Sequence, residues 1–202
     1  EHVFDSAPGE ALLADLIVIA IKPQITKAAL QPLAGRLGTH SLVLSIVAGI
    51  NAESLAALLG LSDRGHIIRC MPNTPALVGE GMTGLYASTE AGSAEGKALA
   101  ELVMSSVGQC VWVEKESDLD VITAISGSGP AYFFLFIESL TDAAIALGMD
   151  SESARKLALQ TALGASRLAS LSSVDAATLR KNVTSPGGTT EQAIQAFEAS
   201  DI

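Results

Sequence analysis

At 202 residues the chain can form one large domain or two small ones, and with 49% hydrophobic but only 4% aromatic residues its core must be aliphatic and alanine-rich. The net charge of −10 argues against nucleic acid or an anionic membrane as a partner. No stretch reads as long and apolar enough to span a bilayer and no signal peptide opens the sequence, so a soluble, cytoplasmic protein is expected.

Residues 16–21 are a continuous β-type run, followed by helical spacing through Ala28, Leu30, Leu33 and Leu37. A second run covers 42–47, a short helix 52–59, and a third run 67–71. Apolar strands separated by helices predict a parallel α/β sheet with right-handed crossovers. Two further strands, near 84–87 and 110–114, flank a helix through Leu99 and Val103. Cys70 and Cys110 sit in these runs without CxxC spacing and read as buried, reduced thiols. The three histidines are scattered, so no metal centre is expected.

In open α/β sheets ligands lie beyond the carboxyl ends of the strands. The first run ends in Lys22-Pro23, where Pro23 forces Lys22 into an extended conformation. The second ends in Ala48-Gly49, small enough for a flat ligand to approach. The third ends in Met71-Pro72-Asn73-Thr74-Pro75, whose prolines brace a loop that offers an amide and a hydroxyl. Together they favour a nucleotide site. Gly79-Glu80-Gly81-Met82-Thr83-Gly84 matches GxGxxG by letter, but it follows a proline loop, leads into a strand and carries Glu80, so it reads as a loop and not as a pyrophosphate site.

After Asp118 the strand signals stop. Gly127-Ser128-Gly129-Pro130 reads as a helix start with Pro130 in the first turn. Residues 131–147 are apolar nearly all round apart from Glu138 and Asp142, and a second helix over 151–170 carries small residues at Ala158, Ala162, Ala165 and Ala169. Asp175 caps a third helix reaching to about Val183. Three such helices are too few to cover one another in a monomer, which predicts an intertwined helical dimer.

The segment that follows, residues 183–192, joins Pro186 and two glycines to the start of a helix. Gly187 and Gly188 lack the β-carbons that would hold a ligand off the backbone, and Thr189 with Gln192 has capping-box spacing. A helix N-terminus flanked by hydroxyls suits a carboxylate or phosphate. A glycine-rich turn with Thr189 as an ordinary cap is the plainer alternative.

These residues resemble the pyrroline-5-carboxylate reductase family, through Ala20-Ile21-Lys22-Pro23, Ser45-Ile46-Val47-Ala48-Gly49-Ile50, Arg69-Cys70-Met71-Pro72-Asn73-Thr74-Pro75, Ser126-Gly127-Ser128-Gly129-Pro130-Ala131-Tyr132 and the loop from Ser185 to Thr190. The resemblance implies a doubly wound, Rossmann-type parallel sheet, incomplete at its N-terminus, in residues 1–115, followed by an all-α dimerisation domain in 116–202. It also implies that the chain begins past the family's GxGxxG segment and stops before its closing helix, so that the fragment alone is expected to be inactive. Carried over by position, Ala20, Ile21, Lys22, Pro23, Ile46, Val47 and Ala48 line the NAD(P) groove and Asn182 is a further cofactor contact. Glu116, Ser185, Gly187, Gly188, Thr189 and Thr190 contact the substrate, with Thr190 in the catalytic role.

The implied reaction is hydride transfer from NADPH or NADH to the imine carbon of 1-pyrroline-5-carboxylate, giving L-proline, the last step of proline biosynthesis. Loop N–H groups from Gly187 to Thr190 would hold the substrate carboxylate, and the Thr190 hydroxyl would hold the ring nitrogen. The implied assembly is a homodimer or a higher homo-oligomer, with a small-molecule substrate and neither nucleic acid nor membrane. The alternative is a non-catalytic dimeric module of the same fold that binds proline or a nucleotide.

Overall fold

The computed structural model describes residues 9–62, 66–88 and 93–200, in two compact units, Glu1–Tyr132 and Phe133–Ile202. The first unit is a five-stranded sheet of β1 (Leu16–Ile19), β2 (Leu42–Ser45), β3 (Ile67–Met71), β4 (Gly81–Ala87) and β5 (Gly108–Trp112), in that spatial order. Helix α1 (Thr26–Leu30) crosses from β1 to β2, α2 (Ala52–Leu59) from β2 to β3, and α3 (Ala94–Ser105) from β4 to β5. The unbroken apolar runs are explained by burial on both faces. Val43 and Ile67 pack with Leu30, Leu55 and Leu59 from α1 and α2, while Leu44, Ile68 and Leu85 pack on the opposite side with Ala100 and Met104 of α3. The sheet is therefore wound on both sides as expected, and the central strand β2 is buried along its whole length.

Two local departures from the sequence reading have simple causes, and one reading is met. β1, β2 and β3 are parallel, but β4 is antiparallel to β3, and β5 is parallel to β4. A parallel crossover needs about a dozen residues or more, and residues 72–80 hold only the 3-10 turn Thr74–Val78 before the chain turns back. The helix anticipated through Leu37 ends at Leu30, because Pro32 cannot donate to the next turn and a 3-10 turn, Gln31–Leu33, replaces it. The GxGxxG look-alike is a left-handed turn at Gly79 that feeds β4.

The helix start expected at Gly127–Pro130 is found in part: α5 (Gly129–Ala146) begins there with Pro130 in its first turn, but α4 (Asp118–Ile122) and a π turn (Thr123–Gly127) run into it, so that Asp118–Ala146 is one helical stretch. Its most apolar window has mean hydropathy 1.3, so this 29-residue helix is long and apolar enough to cross a membrane. The sequence reading found no such stretch because it broke the helix at the glycines. α4 packs on β4, where a β-carbon on Gly84 would come within 2.7 Å of Ile122.

The π turn has a chemical origin. Pro130 has no N–H to give the carbonyl of Ser126 one turn earlier, and its ring crowds that carbonyl. The Ser128 N–H reaches back to Thr123 at 2.8 Å, which leaves the Ala124 carbonyl to accept from the Tyr132 hydroxyl at 3.3 Å. The Ser126 carbonyl accepts instead from the side chain of Asn73, at 3.0 Å.

The second unit holds the rest of α5 with α6 (Ser151–Leu171), α7 (Ala176–Asn182) and α8 (Thr189–Ala199). Of the small-residue seam only Ala158 is buried, together with Ala154, and Phe136 meets Phe197 edge to face at 6.1 Å. Phe133, Phe134, Leu135, Leu163 and Leu168 are about 60% exposed.

Asp150 caps α6 by accepting from the Ser153 N–H at 2.9 Å, and Asp175 caps α7 by accepting from the Thr178 N–H at 2.8 Å. These backbone donors hold both carboxyls below the usual aspartate range. A depressed folded-state pKa gives stability that is present above the unfolded value and lost as pH falls through the folded one. In thermal melts the deficit of Asp175→Ala relative to the wild type should therefore shrink as pH drops below the ordinary aspartate range. Asp175→Asn should keep the cap without that pH dependence, and a deficit constant with pH would show that the charge plays no part.

Candidate functional site

The first two parallel strands bring two of the predicted segments side by side. Ile19 pairs with Ser45, and the Ile46 N–H continues the ladder to the Ile19 carbonyl at 3.1 Å, so residues 20–23 and 46–48 leave the sheet at the same edge. Lys22 is extended (φ −69°, ψ 142°) ahead of Pro23, which starts the 3-10 turn Pro23–Ile25, and its carbonyl accepts from the Thr26 hydroxyl at 3.2 Å. Ala20, Lys22, Pro23 and Ala48 are exposed, Ile21 and Ile46 half-buried, and Val47 buried in the core. The result is an open rim whose shape is set by the backbone. Gly49, at φ +74° with open space where a side chain would be, carries the chain away from it.

Just beyond lies a cavity of about 460 Å³, lined by Gly49, Asn51, Ser54, Arg69, Glu116 and Asp120 among others. Glu116 belongs to the turn between β5 and α4 and is held firmly. Its Oε1 accepts from the N–H of Ala52, the first residue of α2, at 2.6 Å and from Arg69 Nη1 at 3.0 Å. The Asn51 side chain caps the same helix by accepting from the Ser54 N–H at 2.8 Å. Arg69 rises from β3 and is 13% exposed. Sequence reasoning quoted Arg69 without giving it a role, although a lone cation in an apolar strand signals a partner.

The loop after β3 differs from expectation. The Asn73 amide is not offered to a ligand: its nitrogen donates to the Ser126 carbonyl and its oxygen accepts from the Met82 N–H at 2.8 Å. Of the two cysteines, Cys70 is buried and Cys110 half-buried, and both are free thiols. Burial pushes the Cys70 thiol far above its ordinary range, Cys110 adding to the effect and Arg69 opposing it.

In the second unit, Asn182 ends α7 and the predicted loop follows it directly. Gly187 takes φ +73°, a conformation that favours glycine, and the Gly188 N–H donates to the Ser185 carbonyl at 3.0 Å. The anticipated Thr189–Gln192 capping box does not form. Gly188 is the N-cap and Thr189 the first helical residue, so it is Glu191 that reaches back, accepting from the Gly187 N–H at 2.8 Å. The Thr189 and Thr190 hydroxyls have no hydrogen-bond partner among the described residues, and the first-turn N–H groups of α8 have no intrahelical acceptor. The N–H groups of Gly187 and Gly188, expected to serve a ligand, are already used.

Comparison with known proteins gives a consistent result. The family model described as pyrroline-5-carboxylate reductase dimerisation matches residues 116–202. The pyrroline-5-carboxylate reductase of Pseudomonas aeruginosa is 48% identical over 187 residues, covering 93% of this chain and 67% of that protein. That of Vibrio alginolyticus is 45% identical over 193 residues, covering 94% and 70%. Among solved structures, a pyrroline-5-carboxylate reductase from Coxiella burnetii matches with TM-score 0.87 at 40% identity, covering 99% of this chain and 73% of that one. The Plasmodium falciparum pyrroline carboxylate reductase, solved with NADP bound, matches with TM-score 0.86 at 35% identity, covering 98% and 74%.

Because Asn73 donates to the Ser126 carbonyl and accepts from the Met82 N–H, Asn73→Ala should destabilise the protein by about 2–4 kcal/mol, measured by denaturant unfolding. A loss within about 0.5 kcal/mol would mean that water replaces both bonds.

Proposed function

This chain belongs to the pyrroline-5-carboxylate reductase family, and from that premise we propose how its residues serve the reduction of 1-pyrroline-5-carboxylate to L-proline. The exposed rim of Ala20, Ile21, Lys22 and Pro23 beside Ile46, Val47 and Ala48 fits a flat dinucleotide, since no large side chain stands over it and Gly49 leaves open space next to it. NADPH or NADH, when bound, supplies the hydride. Asn182 is a further contact to it.

The observation that carries the substrate reading is the set of unspent donors at the start of α8. The N–H groups of Thr189 and Thr190, at the positive end of the helix dipole, hold the substrate carboxylate. Ser185 and Gly188 brace the loop through their mutual bond, and Gly187 supplies the turn. The Thr190 hydroxyl bonds the ring nitrogen and keeps the imine carbon aligned, while Glu116 contributes a second polar contact to the substrate. An iminium is already electrophilic, so orientation carries much of the rate and no strong general acid is required.

We read the assembly as a homodimer in which a second copy covers the apolar surface of α5 and α6. Matching of residues 116–202 to a dimerisation family supports this over a membrane-crossing role for Asp118–Ala146, in keeping with our reading of a soluble enzyme of the cytoplasm.

Thr190→Ala should lower kcat/KM for 1-pyrroline-5-carboxylate by about ten- to hundred-fold, as loss of about 1–3 kcal/mol of hydrogen bonding, while Thr190→Ser keeps most activity. Equal losses in the two variants would refute the hydroxyl's role. For the assembly, the melting temperature should rise with protein concentration because folding and association are linked. Ala162→Leu should overpack α6 by about 1–3 kcal/mol and shift light scattering toward monomer. A chain that stays in solution only with detergent would favour the membrane reading instead.

A further inference from the structure

We propose that Arg69 is the positioning residue for Glu116: from β3 it holds one carboxylate oxygen against the first N–H of α2, so that the other oxygen is presented to the cavity in a fixed orientation. The proposal rests on Glu116 contacting the substrate. Oε1 receives two donors, Arg69 Nη1 at 3.0 Å and the Ala52 N–H at 2.6 Å, from two elements of the sheet unit that pack on each other. Oε2 has no partner among the described residues, and no buried side-chain oxygen there lacks one, so Oε2 opens to the 460 Å³ cavity. Two bonds to one oxygen fix the plane of a carboxylate better than either alone, and the bond from Arg69 is charge-assisted. A strand is also a more rigid base than a loop.

The arrangement has a consequence for recognition. Against one cation, Arg69, which is already bonded to Oε1, the cavity lining carries two carboxylates, Glu116 and Asp120. That pair favours the cationic iminium end of the substrate over its carboxylate end.

The test is a kinetic cycle in the intact enzyme with Glu116→Gln, Arg69→Met, Arg69→Lys and the double variants. If Arg69 acts through Glu116, Arg69→Met raises the KM for 1-pyrroline-5-carboxylate by about tenfold, leaves the KM for NADPH unchanged, and adds less than about twofold once Glu116 is Gln. Arg69→Lys, which keeps the charge, should lie nearer the wild type than Arg69→Met; if the Met variant does not fold, the Lys variant carries the same cycle. Effects that multiply, a parallel rise in the NADPH KM, or a Lys variant no better than Met would overturn the proposal. An unchanged substrate KM in Glu116→Gln alone would instead remove the assignment of Glu116, and the role of Arg69 with it.

Discussion

The sheet unit depends on one missing hydrogen. Pro130 stands within a continuous helix and offers no N–H to Ser126, so that carbonyl needs a donor from outside the helix, and Asn73 provides it at 3.0 Å. Because the same amide accepts from the Met82 N–H, one side chain ties the loop after β3, the start of β4 and the long helix together. The reversal of chain direction at β4, the close approach of α4 at Gly84 and the π turn all meet around this bond. An unmet buried carbonyl costs about 1–3 kcal/mol, a sizeable share of the net stability of a domain.

Glu116 makes a second tie of the same kind, between α2, β3 and the turn before α4. A helix start needs acceptors for its first N–H groups, and α2 receives two kinds: the Asn51 side chain for Ser54, and Glu116 for Ala52. The acidic group reaches α2 from a turn far along the chain, so the cap is also a tertiary tie, and Arg69 makes a half-buried carboxylate tolerable there. The structure thereby joins a stabilising role to the substrate contact that the family resemblance implies for the same residue. The stabilising role was not legible in the sequence, because neither Arg69 nor Ala52 is near Glu116 along the chain.

The pattern of legibility follows from range. Elements set by local periodicity were readable: α2, β3 and α6 lie within a residue of their expected spans, and the Asp175 cap forms as anticipated. Features decided by distant partners were not. The capping box at Thr189 looked right by spacing, yet Gly188 is freer to take the extended N-cap conformation, which moves the helix start back by one residue and brings Glu191 into play. The proline loop looked like a ligand platform because nothing local showed that Asn73 was needed elsewhere. The strand ends were legible because Lys22-Pro23 and Ala48-Gly49 set backbone shape directly.

The Gly127–Pro130 segment was legible in part. Its glycines and proline read as a helix start, and α5 does begin there, but the π turn that joins this start to α4 was not visible in the sequence pattern. The π turn changes which carbonyls are free, and the side chains of Tyr132 and Asn73 are placed to take them. The same continuity produces a 29-residue apolar helix that composition alone cannot distinguish from a membrane span, although it forms part of a dimerisation family. The first part of this helix packs on β4 through α4, while Phe133, Phe134 and Leu135 beyond the π turn are exposed, a run of apolar surface larger than a lone soluble chain usually leaves open.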